Sequence, residues 1–185
     1  MEELEKSDLT PRDIILRYGL IAGGFAILFT FVLYMIDPAM LFGYTPWIAL
    51  AVLMGISVLA AIKRRSINDG QIAYGDAVTT SLATFSIGEV ISTCFMMLMY
   101  FVIDKSLLGK MKDIQIEKMD KLMANGTINK VQYTAAQSSI ENMNGNTILF
   151  YSITGVIVIV IIGLLIFLLT SIFIKNESPF KKELN

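Results

Sequence analysis

One acidic residue inside an apolar stretch gives this sequence its clearest candidate for chemistry. Glu89 lies near the middle of a mostly apolar run that Asp76 and Asp104 bound. A carboxylate at the mid-depth of a bilayer costs about 2.5–3.5 kcal/mol on insertion scales, and such groups usually face the interior of a helix bundle. Because desolvation disfavours the charged form, we expect a largely protonated Glu89 that can donate a hydrogen bond.

Two interpretations of Glu89 remain open. Ser86 and Thr93, three and four residues away on the same helix, are candidate supporting hydroxyls, and Thr30 or Ser57 lie at comparable depths on other helices. In the first interpretation a neutral carboxyl fixes the packing of the helices. In the second it binds a proton or a cation during transport. A Glu89→Gln variant that left both folding and flux unchanged would contradict the second.

The remaining composition offers little catalytic chemistry. The chain has no histidine, which removes the commonest general base and metal ligand. Its one cysteine, Cys94, lies in an apolar segment and is expected to be a small buried hydrophobe. Fifteen Lys and Arg balance 16 Asp and Glu, so no basic face for nucleic acid is predicted. We therefore expect no enzyme, no catalytic residues, no cofactor and no metal site.

Four apolar stretches define the elements that must position Glu89. The chain of 185 residues is 55% hydrophobic, above the roughly 45–50% of a soluble domain. A helix needs about 20 mostly apolar residues to cross a bilayer. Stretches near that length cover about 18–36, 46–62, 77–103 and 148–174. They predict an all-α, polytopic membrane protein with four transmembrane helices in a single domain, 18–174.

The distribution of cations predicts which ends of the spans face the cytoplasm. Lys and Arg in short loops stay on the cytoplasmic side. They occur in the N-terminal segment 1–17 (Arg12, Arg17), in the second loop (Lys63, Arg64, Arg65) and in the tail 175–185 (Lys175, Lys181, Lys182). The loop 37–45 has none. Both termini are therefore expected in the cytoplasm, and the segment 104–147 outside it.

The segment 104–147 is predicted to form an extracytoplasmic helical hairpin between spans three and four. Apolar residues recur at helical spacing from Leu107 to Met123, and Asn125-Gly126 suits the end of a helix. Thr127 is the expected N-cap of a second helix. The apolar stripe of the first helix consists of Leu108, Met111, Met119 and Leu122. It either docks a partner, as flexible methionine surfaces can, or packs on the bundle or on lipid headgroups.

Small residues four apart predict where the helices approach each other closely. The predicted strips are Gly19, Gly23, Ala22 and Ala26 on the first span, Ala51 and Gly55 on the second, and Ala77, Ser81, Thr84, Gly88 and Ser92 on the third. The fourth span, rich in Ile, Val and Leu, is expected to face lipid more than the others.

Two segments carry a resemblance to a known family. GQIAYGDAVTTSLATF (70–85) enters the third span, and KMDKLMANGTINKVQYTAAQ (118–137) precedes the fourth. Together with a glycine-rich first helix and a basic second loop, they resemble DUF4199, a family of bacterial four-helix membrane proteins of unknown function. The resemblance covers nearly the whole chain and implies a bacterial inner membrane protein. It transfers no catalytic or ligand-binding position.

Three functions follow as hypotheses. The first is a non-enzymatic scaffold or accessory subunit that uses the outward hairpin to bind a protein partner. The alternative is a small transporter or channel subunit with Glu89 as its proton or cation site, which would require a homo-oligomer. An intramembrane enzyme is disfavoured, because histidine is absent and one acid lies within the spans. The expected partners are the lipid bilayer and a protein or a second copy of the chain, with no nucleic acid.

Overall fold

The computed structural model describes residues 9–176, which are 86% helical and contain no strand. The six α-helices are α1 (Pro11–Ile36), α2 (Thr45–Ile67), α3 (Tyr74–Leu98), α4 (Leu107–Ala124), α5 (Lys130–Glu141) and α6 (Gly145–Ile174). A 3₁₀ helix, Pro38–Phe42, joins α1 to α2, and a π-helical turn, Met99–Ile103, continues α3. The predicted tail cations Lys181 and Lys182 lie outside the described residues.

Four of these helices are long and apolar enough to cross a membrane, as predicted: α1, α2, α6, and α3 with its π-helical turn. Each begins before the apolar run that predicted it. In α1, the Thr10 hydroxyl accepts from the Asp13 backbone N–H, and the Asp13 carboxylate accepts from the Thr10 N–H. This capping box starts the helix at Pro11. Hydropathy marks the apolar part of a span, whereas capping residues set where the helix begins.

Helix α3 lies at the centre of the bundle and packs against α1, α2 and α6. A Cβ built on Gly23 would lie 2.7 Å from the Ile91 Cβ, and one on Gly19 would lie 2.8 Å from the Ile87 side chain. On the opposite helix, a Cβ on Gly88 would lie 3.0 Å from the Ala22 Cβ. The predicted close approach of α1 and α3 through small residues is therefore confirmed.

Helix α6 is held against α3 by two aromatic rings. Phe85 of α3 and Phe167 of α6 are fully buried, with ring centroids 5.5 Å apart and planes inclined by 71°. A Cβ on Gly163 would lie 2.9 Å from the Phe85 ring, so the absence of a side chain at Gly163 leaves room for this ring. Such edge-to-face pairs add about 0.5–1.5 kcal/mol to the free energy of burial. Much of the remaining surface of α6 is exposed, as expected for a lipid-facing span.

Two predictions about buried surfaces are wrong. On α2, Ala51 and Gly55 are exposed, and the buried face instead carries Leu53, Ser57, Ala60 and Ala61. Cys94 is also exposed, on α3. In an apolar helix every face looks suitable for burial, because lipid and protein interior select similar side chains. Spacing of small residues therefore marks a possible contact without deciding which face is used.

At one end of the bundle, Arg64 and Arg65 of α2 bond to groups on α3 and α6. Arg64 forms an ion pair with Asp76 (Nη2 to Oδ1, 2.9 Å) and donates to the Thr80 hydroxyl at 2.8 Å. Arg65 donates to the Ile174 carbonyl at 3.2 Å, where α6 ends. Paired backbone hydrogen bonds join Ile72 to Asn176. The α2–α3 loop is thereby tied to the C-terminal end of α6.

At the other end, α4 and α5 form the predicted hairpin. Gly126 adopts a φ of 70° after α4, as expected for a helix-ending glycine. The N-cap of α5 is Asn129 rather than the predicted Thr127: Asn129 and Gln132 form a reciprocal capping box. That box satisfies two backbone N–H groups, whereas Thr127 lies in the turn. Lys118 donates to the Phe42 carbonyl at 2.9 Å, which fixes α4 on the 3₁₀ helix.

Candidate functional site

Glu89 is buried at the middle of α3, with 8% of its surface exposed. Its neighbour Gly88 lets α3 approach α1 at Ala22, so Glu89 lies beside a close contact between these two helices. Within residues 9–176, the Glu89 side chain forms no hydrogen bond and no ion pair. A buried polar group without a partner is costly, so this carboxyl requires an explanation.

The hydroxyls predicted to support Glu89 do not do so. Ser86 donates to the Leu82 carbonyl at 2.8 Å, and Ser57 donates to the Leu53 carbonyl at 2.7 Å. Both bonds go to the carbonyl four residues earlier, which a helix always places within reach of a serine. Thr93 makes no hydrogen bond to Glu89 either. Both serine hydroxyls thus donate to a backbone carbonyl of their own helix instead of bonding the Glu89 carboxyl.

A cavity of about 320 Å³ is the environment that the structure gives to Glu89. It lies between α1, α2 and α3, and Ile159 of α6 contributes to its wall. Most of its lining is apolar, from residues such as Ala26, Phe29, Leu50 and Leu53. Its volume is at the lower end of the range for small-molecule sites. The carboxyl therefore lines a space large enough for a ligand.

Three further polar side chains line the same cavity: Thr30, Ser92 and Trp47. Thr30 was predicted to lie at the depth of Glu89, and the structure places both on one cavity. Ser92 was predicted only as part of the small-residue strip on α3. Its position three residues after Glu89 puts it on the same helix face, and this spacing could have identified it. Trp47 is 62% exposed at the beginning of α2 and forms part of the cavity rim.

The start of the hairpin covers two residues that line this cavity. Leu33 and Leu41 line the cavity and also belong to an apolar cluster with Met99 and Leu107. Leu107, the first residue of α4, is completely buried. The start of the hairpin is therefore packed on part of the wall of the Glu89 cavity and does not project freely from the bundle.

Asp104, directly after the π-helical turn, connects this covering to α1. The Tyr34 hydroxyl donates to its Oδ2 at 3.1 Å, and Ser106 donates to its Oδ1 from the hydroxyl at 2.6 Å and from the backbone at 2.9 Å. Hydrogen bonds from Ser106 hold the pKa of Asp104 below its usual value, with smaller contributions from Tyr34 and the nearby Lys110. Asp104 is thus a partnered acid.

The predicted docking stripe is partly covered. Leu108, Met111, Met119 and Leu122 are all half-buried. Met111 and Met119 line a groove of about 510 Å³ between the hairpin and the start of α6, together with Met143. The Tyr100 hydroxyl donates to the Met111 sulfur at 3.6 Å. Part of the stripe therefore packs inside the molecule. The part that stays accessible lies along the groove.

The number of oxygen-bearing side chains around Glu89 limits which ions this site would suit. In the described part of the chain, no group of three or more His, Cys, Asp or Glu side chains could hold a metal ion. One carboxyl with two hydroxyls on the same cavity supplies too few ligands for Mg²⁺ or Ca²⁺, which take six or more oxygens, from the protein or from water. A proton or a monovalent, hydrogen-bonding cation fits the available oxygens better.

Comparison with known proteins confirms the resemblance seen in the sequence. A family model described as "Protein of unknown function (DUF4199)" matches residues 17–176. No curated protein and no solved structure matches the chain. The matched range includes Glu89, the hairpin and nearly the whole of the four membrane-length helices. The chain therefore belongs to the DUF4199 family of proteins of unknown function.

Proposed function

We propose that this chain is a non-enzymatic subunit of a small membrane transporter or channel, in which Glu89 binds and releases a proton or cation. The observation that carries the proposal is a buried carboxyl that lines a cavity and has no partner within residues 9–176. A carboxyl that only fixed helix packing would be expected to bond its neighbours. Its retention without a partner is better explained by a ligand that occupies the cavity.

The charge distribution supports a placement in a bacterial inner membrane with both termini in the cytoplasm. Lys63, Arg64 and Arg65 lie at the end of α2, on the side where α1 begins and α6 ends. By the positive-inside rule this side is cytoplasmic, and the hairpin is extracytoplasmic. The cavity rim at Trp47, at the beginning of α2, then lies in the extracytoplasmic half of the bundle.

A lipophilic carbodiimide tests the site itself. This reagent reacts with a protonated carboxyl that is accessible from an apolar phase. We expect mass spectrometry of the labelled, lipid-reconstituted protein to find an adduct on Glu89 that declines as the pH rises. The exposed Asp76 is the internal control and should stay unlabelled. Absence of a Glu89 adduct at every pH would overturn the proposal.

A flux measurement tests the transport role. Proteoliposomes with a trapped pH indicator should show proton movement driven by a membrane potential, and Glu89→Gln should reduce it by about tenfold or more, because an amide cannot ionise. Ser86→Ala is the matched control: its hydroxyl bonds the Leu82 carbonyl and lies outside the cavity lining. Equal flux in Glu89→Gln and the parent would contradict the role, provided that both variants remain folded.

A separate observation favours partner binding by the hairpin as a second function. The groove between the hairpin and α6 exposes methionine side chains, whose flexibility suits an adaptable protein contact. The occupant would be an apolar segment of another protein, which makes the chain a scaffold or accessory subunit. Both functions are compatible, since the groove and the Glu89 cavity have no lining residue in common.

Site-specific photocrosslinking in cells tests this second function. A photoreactive residue at Met119 should give protein adducts, whereas the same residue at Val131, which is 79% exposed on α5, should not. Adducts to a second copy of the chain would indicate a homo-oligomer. Lipid adducts alone at Met119 would contradict partner binding at the groove.

A further inference from the structure

We propose that the ligand of the Glu89 cavity is a lipophilic amine, which binds as an ammonium group against the Glu89 carboxylate with its apolar body along α1 and α2. The inference rests on the proposed binding role of Glu89 and names the class of ligand. It follows from four features of the cavity: its size, its lining, its depth and its charge.

The size and lining of the cavity exclude a bare or hydrated inorganic ion as the best occupant. A volume of about 320 Å³ is far larger than a dehydrated ion needs. Its wall is mostly apolar, including Phe29, Leu50 and Leu53, so a hydrated ion would lose hydrogen bonds to water along most of its surface. A small organic molecule with an apolar body would instead bury that body against these side chains.

The polar groups of the cavity match an ammonium group. An ammonium donates several hydrogen bonds and accepts none. Glu89, Thr30 and Ser92, whose side chains carry carboxyl and hydroxyl oxygens, line the same space. Trp47, at the rim of the same cavity, adds an aromatic ring, a group that attracts an ammonium ion once the ion has formed. A carboxylic acid or phosphate ligand would find no cation among the lining residues.

Binding of the amine leaves the net charge of the cavity unchanged. The neutral amine enters from the lipid phase, and the proton of the Glu89 carboxyl moves to its nitrogen. No proton is taken up or lost, and the product is a carboxylate–ammonium pair joined by a charge-assisted hydrogen bond. Each charge removes the cost of burying the other. Release of the amine returns the proton to Glu89.

The depth of Glu89 favours a free amine over the ammonium of a phospholipid headgroup. Glu89 lies midway along the 30 residues from Tyr74 to Ile103. At 1.5 Å per residue, the carboxyl is about 20 Å from either end of the helix. A headgroup at the membrane surface would have to leave water and descend most of that distance. A free amine with an apolar body partitions into the bilayer without this penalty.

The protein provides its own reporter for the test. Trp47 is the one tryptophan of the chain and lies on the cavity rim. The full-length protein is placed in phosphatidylcholine nanodiscs and titrated with 2-phenylethylamine, and with 2-phenylethanol as the neutral analogue of similar shape. We expect a saturable change in Trp47 fluorescence with the amine, and affinity weakened by about tenfold or more in Glu89→Gln, the loss of one charge-assisted contact. Ser86→Ala should bind like the parent.

Two results would overturn the ligand class. The first is equal binding of the amine and the alcohol, or amine binding that is unchanged in Glu89→Gln. The second is Glu89-dependent competition when phosphatidylethanolamine is added to the nanodiscs, which would assign the ammonium to a lipid headgroup. If Glu89 still reacted with carbodiimide in a pH-dependent way, either result would reject the amine alone and leave the proposed function standing. Loss of that reactivity would reject both.

Discussion

Two acids on helix α3 differ in exposure and in whether they have a partner. Asp76, at the beginning of α3, is half exposed and pairs with Arg64 at 2.9 Å. Glu89, at the middle of α3, is buried and has no partner in the described part of the chain. An exposed acid needs a partner least, since water already solvates it. The distribution of partners is therefore the reverse of what stability alone would produce.

The contrast indicates what each region of the bundle is built to do. Around Asp76, hydrogen bonds and an ion pair join α2, α3 and the end of α6, so this end holds the helices together. Around Glu89, close helix contacts shape a cavity and leave its carboxyl unpaired. In residues 9–176, the hydroxyl oxygens of Ser81, Thr84 and Ser171 are also buried without a hydrogen-bond partner, but none of these groups ionises near neutral pH as a carboxyl can.

The largest effect is expected where α1 and α3 form the wall beside Glu89. Gly23→Leu would force a side chain into the Ile91 Cβ, which lies 2.7 Å from the position of a Cβ. Overpacking of this kind costs about 1–3 kcal/mol, and we expect the upper end because the obstacle is a branched carbon. Thermal unfolding followed by circular dichroism would measure the loss.

The adjacent Gly24 supplies the matched control for this variant. A Cβ at Gly24 would meet nothing within 4 Å, so Gly24→Leu should leave the unfolding temperature unchanged or slightly higher, because leucine favours helix more than glycine does. Equal destabilisation by both variants would mean that the close contact at Gly23 does not hold the wall of the cavity.

Replacing the unpaired acid should stabilise the protein. Glu89→Leu removes a buried carboxyl that has no partner and places an apolar side chain against an apolar cavity. We expect the free energy of unfolding to rise by about 1–2 kcal/mol, the cost of an unsatisfied buried group. Proton flux and amine binding should be lost in the same variant. A lower unfolding temperature would show that the carboxyl fixes helix packing, the first of the two interpretations drawn from the sequence.

Replacing the paired cation, Arg64, should lower the free energy of unfolding. Arg64→Met keeps the length of the side chain and removes the ion pair with Asp76 and the hydrogen bond to Thr80. Asp76 is half exposed, so the ion pair contributes little, and most of the loss comes from the buried Thr80. We expect destabilisation by about 1 kcal/mol, the value of one hydrogen bond, with flux through the Glu89 site retained. Loss of flux without loss of stability would contradict the division between the two ends.

The elements of this fold were visible in the sequence, because each follows from a local property. Length and hydropathy predict four spans, and helical spacing with Asn125-Gly126 predicts the hairpin. A lone acid in an apolar run marks Glu89 without any knowledge of the fold. The first residues of the helices were harder to predict, because a capping box such as Thr10 with Asp13 starts a helix before its apolar run.

The surroundings of Glu89 could not be predicted, because they depend on how three helices pack. Nothing in the spacing of α2 distinguishes the exposed Gly55 from the buried Ser57, as both faces suit an apolar environment. Which side of α2 meets α3 decides whether a cavity forms and which side chains line it.

The smallest effect concerns Asp104, the partnered acid at the other end of α3. Hydrogen bonds from Ser106 and Tyr34 lower its pKa from the usual 3.8, so the folded state favours the ionised form. The stability that these bonds contribute is present at neutral pH and is lost as the pH falls below 3.8 through the lower folded value. Hydrogen exchange of the first turn of α4, measured from neutral pH downwards and corrected for the intrinsic pH dependence of exchange, should accelerate in that acidic range.

Two variants test whether Asp104 is the group responsible. Asp104→Asn should remove the acid dependence and show faster exchange at neutral pH. Asp113→Asn, which replaces an exposed acid on α4, should behave like the parent. An acid dependence that persisted in Asp104→Asn would show that another titratable group holds the start of the hairpin on the bundle.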